Sequence, residues 1–156
     1  MSFLIISGGQ SGADLSGWKA AKRVGFETTG WMPRGYLTED GPRPEYATLY
    51  NAKEHPSEKY PPRTFLNAGM GQVTLWFGRG DSAGYGCTER ACRQQERPIW
   101  SIPTLALQPS EIAGKLWIND FTQINIAGNR ESKSPGIGEW VEEYLFDLFN
   151  LLRGYE

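Results

Sequence analysis

The opening of the chain constrains its fold more than any other stretch. Residues 3–7, FLIIS, form a continuous apolar run, followed by GGQSG and then by a segment with helical spacing. Leu15, Trp18, Ala21 and Val24 recur three apart, and Gly25 follows as a C-cap. An apolar run without alternation is how a strand buried on both faces of a parallel sheet reads. Strand, glycine-rich turn and helix therefore open the chain in that order.

The same unit recurs. QVTLWF (72–77) is a second buried-type strand, with the loop GRGDSAGYG behind it and a helix over 88–96. PIWSI (98–102) is a strand, 109–117 a helix, and TQINIA (122–127) a strand followed by GNRESKSPG. Ser134 and Pro135 read as N-cap and first residue of the last helix. In that helix Trp140, Val141, Tyr144, Leu145, Leu148, Phe149 and Leu152 share one face. Residues 26–31 form a short extended segment and 63–70 a short helix. Between them, 32–62 carries six prolines and many charges and reads as one long irregular loop, functional or partly disordered. Strands alternating with helices predict an α/β fold: an open, mostly parallel sheet with helices on both faces, in three layers, α/β/α. A length of 156 residues suits one domain spanning 1–156, large enough to bury roughly 70% of its unfolded surface.

In such sheets ligands bind beyond the carboxyl ends of the strands. Three loops occupy that position, after Ser7, Phe77 and Ala127, and each leads into a helix. Glycine lets backbone N–H groups approach a ligand with no Cβ in the way. A helix start adds unpaired donors and partial positive charge. The combination is an anion cradle, most often for phosphate. GGQSGAD matches neither common fingerprint: no Gly-Lys-Ser/Thr occurs, and the glycine spacing is not that of G-x-G-x-x-G. A plain strand-to-helix turn is the alternative.

Five side chains stand out beside the loops. Arg130 forks onto an oxyanion, or pairs at the surface with Glu131 or Asp120. Asp14, early in the first helix, complements the helix dipole. Glu89 is the only carboxylate near the end of the second loop; it is the candidate acid or base, or a helix-start glutamate. Trp31 is the tryptophan to test for stacking on a ligand ring. His55 reads as a solvated residue of the charged insertion.

The net charge of −2 and pI near 5.5 argue against a nucleic-acid surface. Cys87 and Cys92, five apart with no histidine beside them, make no zinc pattern and read as reduced thiols, so no protein-bound metal is expected. A cytoplasmic setting is expected, because MSFLIISGG lacks a basic region and a long apolar stretch. No run reaches the ~20 apolar residues of a membrane span.

Four motifs in order, ISGGQSGAD (6–14), GWMPRG (30–35), TEDGPRPEYATL (38–49) and NIAGNRESKSPGI (125–137), resemble the family named "putative molybdenum carrier". That family lies in the SLOG superfamily of Rossmann-like nucleotide-binding domains, with the lysine-decarboxylase-like phosphoribohydrolases. The resemblance covers nearly the whole chain. It implies a Rossmann-like fold, a homo-oligomer (dimer or tetramer), and a pocket for a phosphorylated ligand: molybdenum cofactor, a phosphorylated pterin, or a nucleotide. Carried over by position, the phosphate-binding candidates are Gly8, Gly9, Gln10, Ser11 and Gly12 from the first loop. Gly84, Gly86 and Thr88 come from the second, and Asn129, Arg130, Glu131 and Ser132 from the third. The second loop departs from the phosphoribohydrolase pattern P-G-G-x-G-T-x-x-E. With Gly86 on the third glycine, Cys87 falls at the threonine and Arg90 at the catalytic glutamate, while Glu89 is one position short. The stretch NAKEHPSEKYPP (51–62) reads as an insertion.

Three functions compete. The first is a binding protein, a carrier or sensor of a phosphorylated heterocycle. The second is a hydrolase of nucleotide N-glycosidic bonds using Glu89 and Arg130. The third is an interaction module with a vestigial pocket, whose 36–62 loop and exposed aromatics meet a partner.

Overall fold

A computed structural model describes residues 2–154. The first apolar run forms β1 (Leu4–Ser7), whose Ile5 and Ile6 are fully buried. Helix α1 (Ala13–Val24) follows and ends at Gly25, whose φ of 82° lets its N–H return to the carbonyls of Ala21 and Lys22. Next comes β2 (Glu27–Met32).

The segment read as one long loop is largely structured. It holds a 3-10 turn at Arg34–Tyr36 and a hairpin of β3 (Leu37–Thr38) with β4 (Gly41–Pro42). A short helix α2 (Tyr46–Leu49) and a strand β5 (Ala52–Glu54) complete it. β5 pairs in parallel with β2, and Tyr46 and Tyr50 close around Trp18 of α1. Those aromatics give a proline-rich stretch the apolar anchor it needs. His55 is not simply solvated: it is half-buried, accepts from the N–H of Ser57 at its Nδ1, and meets the edge of Trp31.

Helix α3 (Tyr60–Met70) starts three residues before the expected boundary, with Pro61 and Pro62 in its first turn, where proline loses no hydrogen bond. β6 (Val73–Phe77) is buried throughout. Helix α4 (Ala83–Gln94) also starts earlier than expected, capped by Ser82, whose Oγ accepts from the N–H of Tyr85. β7 (Ile99–Ile102), α5 (Pro109–Ile118), β8 (Gln123–Gly128) and α6 (Ile137–Gly154) complete the chain. Ser134 and Pro135 do not cap α6 as expected; the helix begins at Ile137, past Gly136 at φ 90°.

The six-stranded sheet has the order β5-β2-β1-β8-β6-β7, with every pairing parallel. This is the Rossmann-like α/β architecture. The main core joins the sheet to α1, α5 and α6, through residues such as Ala21, Leu116, Leu145 and Phe149. On the other face α3 and α4 bring Ala68, Ala91 and Cys92 together. From β1 the chain steps outward to β2 and β5; from β6 it steps the opposite way to β7. β8 lies between β1 and β6, at the reversal. A crevice for a ligand belongs at such a reversal, outside the carboxyl ends of the strands.

Candidate ligand pocket

β1, β8 and β6 are adjacent and parallel, so the loops after Ser7, Gly128 and Phe77 emerge side by side. A cavity of about 390 Å³ opens among them, roofed by α3. That volume suits a small molecule or cofactor.

Two glycine positions show why the first loop has its composition. A Cβ at Gly8 would collide with Arg63 Nη1, so the guanidinium crosses the backbone only because no side chain is there. Gly12, at φ 81°, starts α1 and comes within van der Waals range of the third loop; a Cβ there would lie 2.6 Å from the Asn129 carbonyl oxygen. The first loop is thus shaped for close approach of α3 and of the third loop.

Six of the expected phosphate-binding residues line the cavity: Gly8, Gln10, Gly84, Thr88, Asn129 and Arg130. Gly84 and Gly86 are not loop residues but lie in the first turns of α4. Gly9, Ser11, Gly12, Gly86, Glu131 and Ser132 are not on its wall, and neither is Glu89. Glu89 sits 3.8 Å from Arg93, one turn along α4. Trp31 is also off the wall; Trp76 is the indole that lines it, fixed by an Nε1–H bond to the Arg79 carbonyl and by the ring of Tyr85.

Several candidates are occupied by the protein itself. Asn129 ties the three loops together. Its Oδ1 accepts from the Arg79 N–H at 2.7 Å, its Nδ2 donates to Ser82 Oγ, and its carbonyl accepts from the Ala13 N–H. Gln10 does the same on the other side: its Oε1 accepts from the N–H groups of Ser11 and Glu39, and its Nε2 donates to Tyr60 Oη. Glu131 turns to the start of α6 and accepts from the N–H groups of Gly136 and Gly138.

The donors of the first and third loops do gather an anion, and it is a side chain. Glu39, from the β3–β4 hairpin, accepts from the hydroxyls of Ser11 and Ser132 and, at 3.1 Å, from the Ser132 N–H. Arg130 Nε stands 3.9 Å away, so its partner is Glu39 rather than Glu131 or Asp120. Burial alone raises the pKa of Glu39, but the two hydroxyls, the N–H and Arg130 outweigh it and hold the carboxyl below its usual range. The Ser11–Ser132 part of the cradle is therefore filled, and the cavity beside it is open.

Asp14 does more than face the helix dipole. It is buried at the inner wall, 3.7 Å from Arg63 Nη1. Burial pushes its pKa up to about 6, against the opposing pull of Arg63 and of main-chain hydrogen bonds from Gln10, Gly128 and Gly8. Arg63 itself makes no hydrogen bond among the described residues; its Nε is buried without a partner, and its guanidinium lies 5.2 Å from the Tyr60 ring. A buried donor left unmade costs about 1–3 kcal/mol. The remaining charged groups on the wall are Arg79 and Asp81, which pair with each other, and Arg130 and Lys133. Arg63 and Asp14 were missed as a pair because they lie 49 positions apart in the chain; Tyr60 and Arg63 both fall where the sequence reads as irregular or just past it.

Residues 5–149 match the family described as "Circularly permutated YpsA SLOG family". The chain belongs to that family. The match spans β1 to the last turns of α6, so it contains every loop on the pocket wall. Among solved structures, the crystal structure of "Putative molybdenum carrier protein" from Syntrophus aciditrophicus SB is similar, with a TM-score of 0.81 and 29% identity. The similarity covers 97% of this chain and 94% of that one. No curated protein matches the chain. Among the described residues of this SLOG-family chain, no histidine, cysteine and carboxylate cluster has the makings of a metal site. None of its helices is long and apolar enough to cross a membrane.

Proposed function

We propose that this chain binds a phosphorylated heterocycle, molybdenum cofactor or a nucleotide, and serves as its carrier or sensor. The observation that carries the reading is the charge of the pocket wall. Arg79 and Asp81 neutralise each other, which leaves Arg63, Arg130 and Lys133 against Asp14, with Arg130 leaning on Glu39. Cations gathered in a crevice draw in an anion. Trp76 and Tyr60 supply ring surface on the same wall and Thr88 a hydroxyl for a heterocycle's edge, while the Asn67 amide is spent on the Trp31 main chain and Asn125 Nδ2 on Thr74. The similar structure's name supports molybdenum cofactor as one cargo.

The geometry favours binding over N-glycosidic cleavage through Glu89, because that carboxylate lies off the wall, beside Arg93. The proposal includes a cytoplasmic setting, which two free cysteines support, and self-association as a dimer or tetramer. The test is equilibrium titration with molybdopterin, AMP and GMP, with released base measured in the same samples. Saturable binding without base release is expected. Absence of saturable binding to every one of them would remove the carrier reading.

A further inference from the structure

We propose that the inner end of the pocket is an oxyanion subsite built on Arg63, and that filling it brings a proton onto Asp14. The inference rests on the reading above, that the pocket takes a phosphorylated ligand, and adds a subsite and a proton to it.

The geometry begins with an unused cation. Arg63 reaches the wall from α3, over the bare backbone of Gly8 and beside the Tyr60 ring. Its side chain is only 11% exposed. A guanidinium has five N–H donors, yet this one has no hydrogen-bonded acceptor among the described residues and its nearest carboxylate oxygen is 3.7 Å away. Asp14 does not close on those donors: its Oδ2 stays 3.7 Å from Nη1, an ion pair without a hydrogen bond. A planar fork without an acceptor, on the wall of a cavity, fits a group with two or three equivalent oxygens, such as a phosphate monoester.

The proton follows from Coulomb's law. Asp14 and Arg63 share the wall, and Arg63 is the charged group that holds Asp14 toward its ionised form. A doubly charged oxyanion on Arg63 cancels that support and adds repulsion of its own, so the carboxyl binds its proton more tightly in the complex. The other charged groups around Asp14 are accounted for. Arg79 and Asp81 pair on the loop after β6, and Arg130 and Lys133 come from the loop after β8. On α6, Glu142 and Glu143 are held by Arg23, nine residues along α1 from Asp14. On α4, Glu89 faces Arg93.

The sign is fixed by the direction of the change. Free Asp14 titrates at about 6. In the complex it titrates higher, so between those two values binding takes up a proton and affinity falls as pH rises. Below about 6 the carboxyl is already protonated and affinity is flat.

Sulfate is the probe, because its charge is constant over this range. The affinity of the wild-type chain for sulfate should fall between pH 6 and 7.5, by up to roughly tenfold per pH unit. Asp14→Asn should bind sulfate with no pH dependence, and Arg63→Gln should lose binding at both pH values. The carboxyl-carbon resonance of Asp14 in the wild type gives a second readout that needs no variant to fold: its titration midpoint should move to higher pH when sulfate is added. A pH-independent sulfate affinity, an unmoved midpoint, or no sulfate binding overturns the proposal. Each of those outcomes leaves the carrier reading standing if a phosphorylated heterocycle still binds saturably.

Discussion

Glu39 and Ser132 lie 93 positions apart, yet the Ser132 N–H donates to the Glu39 carboxylate at 3.1 Å and its hydroxyl donates to the other oxygen. The β3–β4 hairpin is thereby stapled to the loop that follows β8. Hydrogen bonds to a charged acceptor are worth about 1.5–3 kcal/mol, and the carboxylate is mostly shielded from water. Glu39→Ala should therefore cost about 2–3 kcal/mol in urea unfolding. Hydrogen exchange should quicken at 37–42 and 130–133 together. Quickening of the hairpin alone would show that the staple does not couple the two.

The pH range of that staple follows from its direction. The pKa of Glu39 is lowered on folding, so its contribution is present above its unfolded value near 4.5 and is lost as pH falls through the folded value. Exchange at 130–133, corrected for its intrinsic rate, should quicken in the wild type as pH falls below that unfolded value. It should be insensitive to pH over the same range in Glu39→Gln.

Asp14 has the opposite sign. Its folded pKa of about 6 lies above the ordinary 3.8, so folding binds a proton between those values. Stability from this group is full below about 4 and is lost as pH rises to about 6, a change of about 3 kcal/mol. The stability difference between wild type and Asp14→Asn, measured by urea unfolding at pH 4, 5 and 6.5, should shift by that order in favour of the variant. A constant difference would mean that Asp14 ionises freely in the fold.

Gly8 has to lack a side chain because Arg63 Nη1 occupies its place. Gly8→Ala should displace the guanidinium and weaken binding of a phosphorylated ligand about tenfold, with Kd as the readout. Gly114, on α5, has nothing within 4 Å of an added Cβ and is off the pocket wall, so Gly114→Ala should leave Kd unchanged.

Glu89→Gln should leave ligand affinity within twofold of wild type, since Glu89 is off the pocket wall. A larger loss, or base release abolished by the change, would return Glu89 to the mechanism.

The sheet was legible because its strands announce themselves. FLIIS and QVTLWF are largely apolar runs, as strands covered on both faces must be, and TQINIA is a short run rich in β-branched residues between turn signals. Their adjacency as β1, β8 and β6 brings the three loops to one rim. The start of α4 was not legible, since Gly84 and Gly86 are poor helix formers and only the Ser82 cap and the Tyr85–Trp76 contact offset that. The 32–62 segment was read as irregular because its order comes from contacts outside itself, the Trp18 ring on α1 and the pairing of β5 with β2. For the same reason Ser11, Ser132 and Arg130 were recognised as anion donors, but the anion they hold, Glu39, was not. Which residues meet across loops is set by topology, and local pattern does not record it.

The most direct measurement is native mass spectrometry of the chain purified from its own host, with Arg63→Ala prepared in parallel. The account predicts a small phosphorylated molecule retained by the wild type, released on denaturation, and lost or strongly depleted in the variant. An adduct held equally by both, or one that carries no anionic group, would contradict a pocket whose affinity comes from the cations on its wall.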